Sequence, residues 1–252
     1  MKTVMSRPIS LRVATYNIHK CRGMDRRVFP ERIADVIGET EVDIVALQEV
    51  VRAERQDQLA ILAKLTGFSH VAFGENRKHR GHGYGNGILS KFPIEDSRNY
   101  DVTVPRREPR GLLRADIRLS NRKLLHVLNV HLGTGLLERR GQASLLIHEE
   151  LLLSKEFSAP RILLGDFNEW TRGLATKRLS EHFRSAEAKP ARVLGGRTKR
   201  MRSYPGFLPV LHLDHIYYDD ALRLEIFRLH RTRTAQLASD HLPLVACFEI
   251  GR

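Results

Sequence analysis

With 252 residues, 42% of them hydrophobic, the chain is long enough to bury a large core in one α/β domain spanning 1–252. A formal net charge of +13 gives it a positive field that attracts nucleic acid, anionic lipid headgroups or other phosphates without choosing among them. Two cysteines, Cys21 and Cys247, exclude a disulfide framework, and no apolar run approaches membrane-spanning length.

A soluble, cytoplasmic protein is therefore expected, with peripheral attachment to an acidic membrane surface as the alternative. Met1 to Arg12 is basic but lacks the apolar segment of a secretory signal. Leu11 to Ile18 has the β-branched and aromatic character of a first strand, ending near Asn17 and His19. Pro30 to Thr40 carries Ile33, Val36 and Ile37 at helical spacing behind an early proline. Asp43 to Val50 is a near-continuous apolar run, as in a strand covered on both faces. An ionised Glu49 at its end is costly unless it meets a cation, a donor or solvent, which makes it the first candidate metal ligand. Glu54 to Leu65 reads as an amphipathic helix.

Phe73 to Asn86 is basic and glycine-rich and reads as a surface loop or a cover for a phosphate. Asn86 to Ser90 opens a strand that Pro93 ends, and Arg110, just beyond Glu108, is a candidate for gripping a phosphate bidentately. A strand follows from Leu112 to Leu119. Lys123 to Leu132 is the next core strand, with Asn129 and His131 on one face at its end. A helix is expected over Glu138 to Phe157.

Arg161 to Asn168, Arg-Ile-Leu-Leu-Gly-Asp-Phe-Asn, is the pivotal stretch: an apolar strand that stops at a glycine and delivers Asp166 and Asn168 together. A carboxylate there can polarise a water while the amide holds a phosphoryl or carbonyl oxygen; the plainer reading is an Asx-type turn. The pattern then predicts a helix over Arg172 to Ser185, a basic loop over Glu187 to Arg202, and a strand from Leu211 to Tyr218 with Asp214 in its middle. Leu222 to His230 and, after Ser239-Asp240-His241, Val245 to Ile250 are the last strands. His79, His82, His212 and His215 lack metal-ligand spacing and read as structural or surface residues.

No serine-nucleophile motif, zinc spacing or Walker-type loop accompanies the strand-end groups. Carboxylates among amides suit a hard cation, Mg2+ with Mn2+ as the alternative. The ordered set Thr-Tyr-Asn-Ile at 15–18, Leu-Gln-Glu-Val at 47–50, Asn-Gly-Ile-Leu-Ser at 86–90, Asn-Val-His-Leu at 129–132, Gly-Asp-Phe-Asn at 165–168, Leu-Asp-His-Ile at 213–216 and Ser-Asp-His-Leu-Pro at 239–243 resembles the endonuclease/exonuclease/phosphatase superfamily over nearly the whole chain.

That resemblance implies a four-layered α/β/β/α sandwich with two face-to-face mixed sheets, and a metal-dependent phosphodiesterase acting by in-line attack of water on phosphorus. By position it implies Glu49 as principal metal ligand, with Asn17 beside it and Asp240 as a further ligand. It implies Asp166 as the residue that orients or deprotonates water, Asn168 and His131 as phosphate-binding groups, and Asp214 as the carboxylate orienting His241. Arg110, Asn86 and Asn129 are candidate substrate contacts. The charge favours nucleic acid as substrate over a phospholipid or sphingolipid headgroup, and a silent phosphate-binding module is the remaining alternative.

Overall fold

The computed structural model describes residues 9–119, 123–147, 160–169, 173–187 and 201–250. Strand β1 (Ile9–Asn17) runs parallel to β2 (Ile44–Arg52), and α1 (Pro30–Thr40) connects them. Helix α2 (Gln58–Thr66) leads into the hairpin of β3 (His70–His79) and β4 (His82–Ser90), whose second strand pairs with β2. Strands β5 (Ile94–Asp101), β6 (Gly111–Arg118) and β7 (Leu124–His131) form an antiparallel meander. The chain passes through α3 (Leu136–Leu146) to β8 (Arg161–Asp166), parallel to β7. Helix α4 (Leu174–Leu179) and the short β9 (Arg184–Ser185) precede β10 (Asp214–Tyr218), antiparallel to β8. Then β11 (Leu222–Leu229), α5 (Arg233–Ala238) and β12 (Leu244–Ile250) complete the first sheet. The strand orders are β11-β12-β1-β2-β4-β3 and β5-β6-β7-β8-β10-β9.

Three apolar layers make this a sandwich. The inner faces meet through Val13, Ile44, Ala46 and Ile88 on one side and Ala115, Val127, Leu164 and Ile216 on the other. Ile33, Val36, Leu59, Leu62 and Ala235 from α1, α2 and α5 cover the outside of the first sheet, and Ala143, Leu146 and Leu179 from α3 and α4 cover the second. Central strands buried on both faces have no polar alternation to show, which is why β2 and β8 read as unbroken apolar runs. The α/β/β/α sandwich implied by the resemblance is the architecture observed.

Several expectations need correction. The basic span 73–86 is a strand hairpin, turned at Arg80 and Gly81, rather than a loop. Its first strand is an edge of the sheet, where charged side chains suppress pairing with other chains and so disguise the strand pattern. An edge strand of the second sheet, β5, reads Ile-Glu-Asp-Ser-Arg-Asn-Tyr-Asp and gave no signal for the same reason. The helix expected over 172–185 is only α4, because Arg184 and Ser185 pair with β10. Helix α3 begins at Leu136 and is described to Leu146; positions 148–157 of the expected span, with 188–200 of the basic stretch, lie outside the described residues. Asp214 opens its strand instead of occupying the middle.

A buried amide ties the sheets together. Asn129 on β7 donates from Nδ2 to the Leu47 and Gly87 carbonyls of the opposite sheet at 2.9 and 2.8 Å, while its Oδ1 accepts from Gln48 Nε2 at 2.7 Å. Asn86 on β4 reaches the other way, donating to Gly111 O at 2.9 Å. The Leu47 carbonyl is where pairing of β2 with β4 slips, between Leu47 and Val50. Such a bulge turns side chains and frees ladder groups, and here it gives Glu49 a left-handed φ of 59°. Asn129→Ala removes a donor from two buried carbonyls and one of the acceptors of the Gln48 amide. It should lower unfolding free energy by roughly 2–5 kcal/mol in urea titration.

Candidate active site

Pairing register builds half of the site. His131 lies opposite Asp166 across β7 and β8, and Asp166 lies opposite Asp214 across β8 and β10, so the three form one rung of the second sheet. Gly165, one residue earlier, has φ 149°, and a Cβ there would meet the Val130 carbonyl at 1.9 Å. Only glycine lets β7 approach this closely. Asn168 follows the strand in a left-handed conformation (φ 50°), its N–H on Asp166 Oδ1 at 2.9 Å and its Nδ2 donating to Leu132 O at 2.9 Å. The pair Asp166 and Asn168 is thus an Asx-type turn closing the strand, and Asn168 keeps a second amide N–H.

The first sheet supplies the facing groups. Asn17 ends β1 and donates from Nδ2 to Asp166 Oδ2 at 3.0 Å and to Glu49 Oε1 at 3.3 Å. Its Oδ1 accepts from His19 N at 3.0 Å, so here Asn17 bridges two carboxylates as a donor and does not offer them an oxygen. His19, Lys20 and Cys21 follow at φ 45°, 62° and 56°. Successive left-handed side-chain-bearing residues are strained, at about 1–3 kcal/mol each. Bonds from Gln58 Nε2 to Lys20 O at 2.7 Å and from Phe29 N to Cys21 O at 2.9 Å hold the turn, which sets the Lys20 ammonium against Glu49 Oε2. Lys20 escaped notice in the sequence although it closes the Tyr-Asn-Ile-His-Lys segment.

His241 enters from the segment before β12. Its N–H donates to Ser239 Oγ at 3.2 Å, and that hydroxyl donates to Asn17 O at 2.8 Å. Nδ1 lies 2.8 Å from Asp214 Oδ2, which also accepts from Ser203 Oγ at 2.5 Å. Nε2 faces Asp166 Oδ2 at 3.6 Å, the same separation as from His131 Nε2 to that oxygen. The Tyr204 ring packs on His241 at 5.0 Å. Nothing in the sequence singled out Ser203 or Tyr204.

The two histidines are tuned apart. Burial alone would lower His241, but the Asp214 and Asp166 carboxylates, the Asp214 hydrogen bond and Asp240 raise it to about 10. Burial and the Arg110 charge push His131 down to about 4 against Asp166 and Glu49. Arg110 Nη1 sits 3.2 Å from His131 Nδ1. A guanidinium only donates, so Nδ1 accepts and the His131 proton is on Nε2, toward Asp166. Burial and the Asp214 charge raise the Asp166 carboxyl, opposed by His241 and His131. Burial would also raise Glu49, yet the charge of protonated His131 and the Lys20 ammonium hold it at about 2. At neutral pH the site therefore combines an imidazolium, a neutral imidazole and an ionised glutamate.

Glu49 is thus an ionised carboxylate already facing a cation, and oxygens from Glu49 and Asp166 meet on one amide. This donor set fits a hard divalent ion. Asp240 is further out, 3.6 Å from His19 Nδ1. Arg110 does not open onto the cleft: it is buried between Glu108 Oε2 at 2.9 Å and His131, a prop for the imidazole. Asn86 and Asn129, candidates for substrate contact, are committed to the bonds between the sheets.

The His241 shift has a sign that can be measured. Its folded value of about 10 lies above the ordinary 6.5, so the stability it contributes is complete below about pH 6.5 and lost as pH rises through 10. Urea unfolding in chelator should show falling stability across that window, and a clearly shallower fall in Asp214→Asn.

A model of the Endonuclease/Exonuclease/phosphatase family matches residues 14–241. The chain is 33% identical over 255 aligned residues to the uncharacterized protein YbhP of Escherichia coli (strain K12), covering 94% of this chain and 95% of that one. An endonuclease/exonuclease/phosphatase structure from Beutenbergia cavernae has a TM-score of 0.77 at 22% identity, over 97% of this chain and 72% of that chain. The human Nocturnin catalytic domain with bound sulfate gives 0.76 at 21%, over 96% and 95%. At such identities the structures speak for the fold alone. Family members hydrolyse phosphoester bonds. A matching span that runs from β1 through His241 and includes every strand end of the site, joined to the observed sandwich, makes this chain a member of the endonuclease/exonuclease/phosphatase family.

Proposed function

We propose that the chain is a divalent-metal-dependent phosphodiester hydrolase in which Asp166 activates water for in-line attack on phosphorus. The observation that carries this reading is the single Asp166 oxygen, 3.6 Å from His131 Nε2 and His241 Nε2 and 3.0 Å from Asn17 Nδ2. A carboxyl raised above its ordinary range is a better base at neutral pH, and it takes the water proton as the new P–O bond forms. His241, cationic, and the neutral His131 N–H would stabilise the charge that a phosphoryl oxygen gains, with the second Asn168 N–H as a further donor. Asp214 and Ser203 hold the His241 ring in place, as a carboxylate behind an imidazole does elsewhere. Glu49, joined to Asp166 through the Asn17 amide, would hold Mg2+ or Mn2+, which would supply charge neutralisation at the phosphate and leaving oxygens.

Nucleic acid is the preferred substrate, because a net charge of +13 favours a polyanionic backbone. One observation favours a lipid headgroup instead. The turn from Tyr204 to Leu211, whose first residue packs on His241, presents Phe207, Leu208 and Val210 at 57%, 60% and 50% exposure. No helix among the described residues is long and apolar enough to cross a membrane.

With Mg2+, the purified chain should nick plasmid DNA. Activity should disappear in chelator, and Asp166→Asn and His241→Gln should each reduce kcat by about a thousandfold or more while circular dichroism stays unchanged. Headgroup release from sphingomyelin or cardiolipin vesicles with intact DNA, weakened in Phe207→Ser/Leu208→Ser, would select the lipid reading. Inactivity toward all of these would reject both substrate classes.

A further inference from the structure

Successive residues of β10 face opposite ways, so Asp214 turns to the cleft and His215 to the outer, helix-covered side of the second sheet. On that side His215 packs against Phe167 at 5.3 Å and stacks with Tyr217 at 5.9 Å. Ser185 pairs with Tyr217, and Ala186 N donates to Ile216 O at 2.9 Å. Glu187 follows two residues after Ser185 and comes close to His215. His212 completes the group: its ring meets that of His215 edge-on at 4.1 Å, and its Nε2 lies 2.5 Å from Glu187 Oε1. One nitrogen or oxygen from each of the three falls within 4.8 Å of the others.

We propose that Glu187, His212 and His215 form a transition-metal site of zinc type, separate from the cleft. Two imidazoles and one carboxylate are a donor set for Zn2+ and its neighbours, unlike the oxygen-rich cleft. Tetrahedral zinc spaces its nitrogen and oxygen ligands roughly 3.3 Å apart, which small side-chain movements supply here. His212 Nε2 is buried against the Glu187 carboxylate and, among the described residues, has no other polar partner. His215 Nε2 is 3.1 Å from the Glu169 carbonyl. A carbonyl only accepts, so Nε2 carries a proton and ligation would fall to Nδ1, the orientation that a backbone acceptor gives to metal-bound histidines. Both histidines are buried while Glu187 is 20% exposed, which leaves a route in from solvent. A metal here would fasten the stretch after β9 to the outer side of the catalytic rung, one residue from Asp214. This inference does not depend on the proposed phosphodiesterase.

The test is zinc titration of chelator-stripped protein against a chromophoric chelator, in wild type, Glu49→Gln, Glu187→Gln and His212→Gln. Wild type and Glu49→Gln should each retain about one tight equivalent. Glu187→Gln and His212→Gln should bind it at least about tenfold more weakly and lose the zinc-induced rise in Tm. Cobalt should develop tetrahedral visible absorption in Glu49→Gln but not in Glu187→Gln. Glu187 is partly exposed, so Glu187→Gln should keep wild-type circular dichroism and cooperative unfolding, which separates lost ligation from lost fold. Absence of tight zinc from wild type, its loss in Glu49→Gln, or wild-type affinity in folded Glu187→Gln would each overturn the proposal.

Discussion

The contact on which the site depends is the Asn129 amide, held between the Leu47 and Gly87 carbonyls of the facing sheet. Two sheets joined only by aliphatic side chains can slide, because dispersion and the hydrophobic effect have no preferred register. Directional bonds from a fully buried amide do, since leaving any of its partners unpaired in the interior is costly. Asn129 is two residues before His131 on the same face of β7, and Leu47 is two residues before Glu49. The clamp therefore fixes the distance between the groups that the two sheets bring to the cleft, and the bulge beyond Leu47 turns Glu49 into it.

Electrostatics then assigns different work to similar side chains. His131 and His241 are both buried and both face Asp166 at 3.6 Å. What separates them is the group on the far nitrogen: a guanidinium for one and a carboxylate for the other. Burial penalises the charged form of each; at His241 the Asp214 carboxylate, added to Asp166, overcomes that penalty, whereas at His131 the Arg110 charge adds to it. The result at neutral pH is a neutral donor and a cation around one carboxylate.

Strand β10 carries chemistry on both faces. Asp214 supports His241 within the sandwich, while its neighbour His215 stands among Phe167, Tyr217 and His212 outside it. Adjacent positions on a strand are far apart in environment, and a constraint on one face is passed to the other through the shared backbone. Glu169 illustrates this, because its carbonyl meets His215 one residue after Asn168 ends the Asx-type turn.

Local chemistry in the sequence determined much of this protein. The apolar runs of β2, β7 and β8, the helix at Pro30, and the polar groups at strand ends were legible because burial on two faces and helical spacing leave patterns within a few residues. The order of the short motifs carried the resemblance to the family and hence the sandwich. Edge strands β3 and β5 were hidden, since charged edges look like loops. Tertiary structure alone decided the rest. It made a sheet clamp of Asn86 and Asn129, set Arg110 behind His131, aimed Lys20 at Glu49 through a left-handed turn, and gathered Glu187 to His212 and His215 across strands. Each of these depends on groups distant in the chain meeting at one point, and spacing along a sequence holds no record of which strands become neighbours.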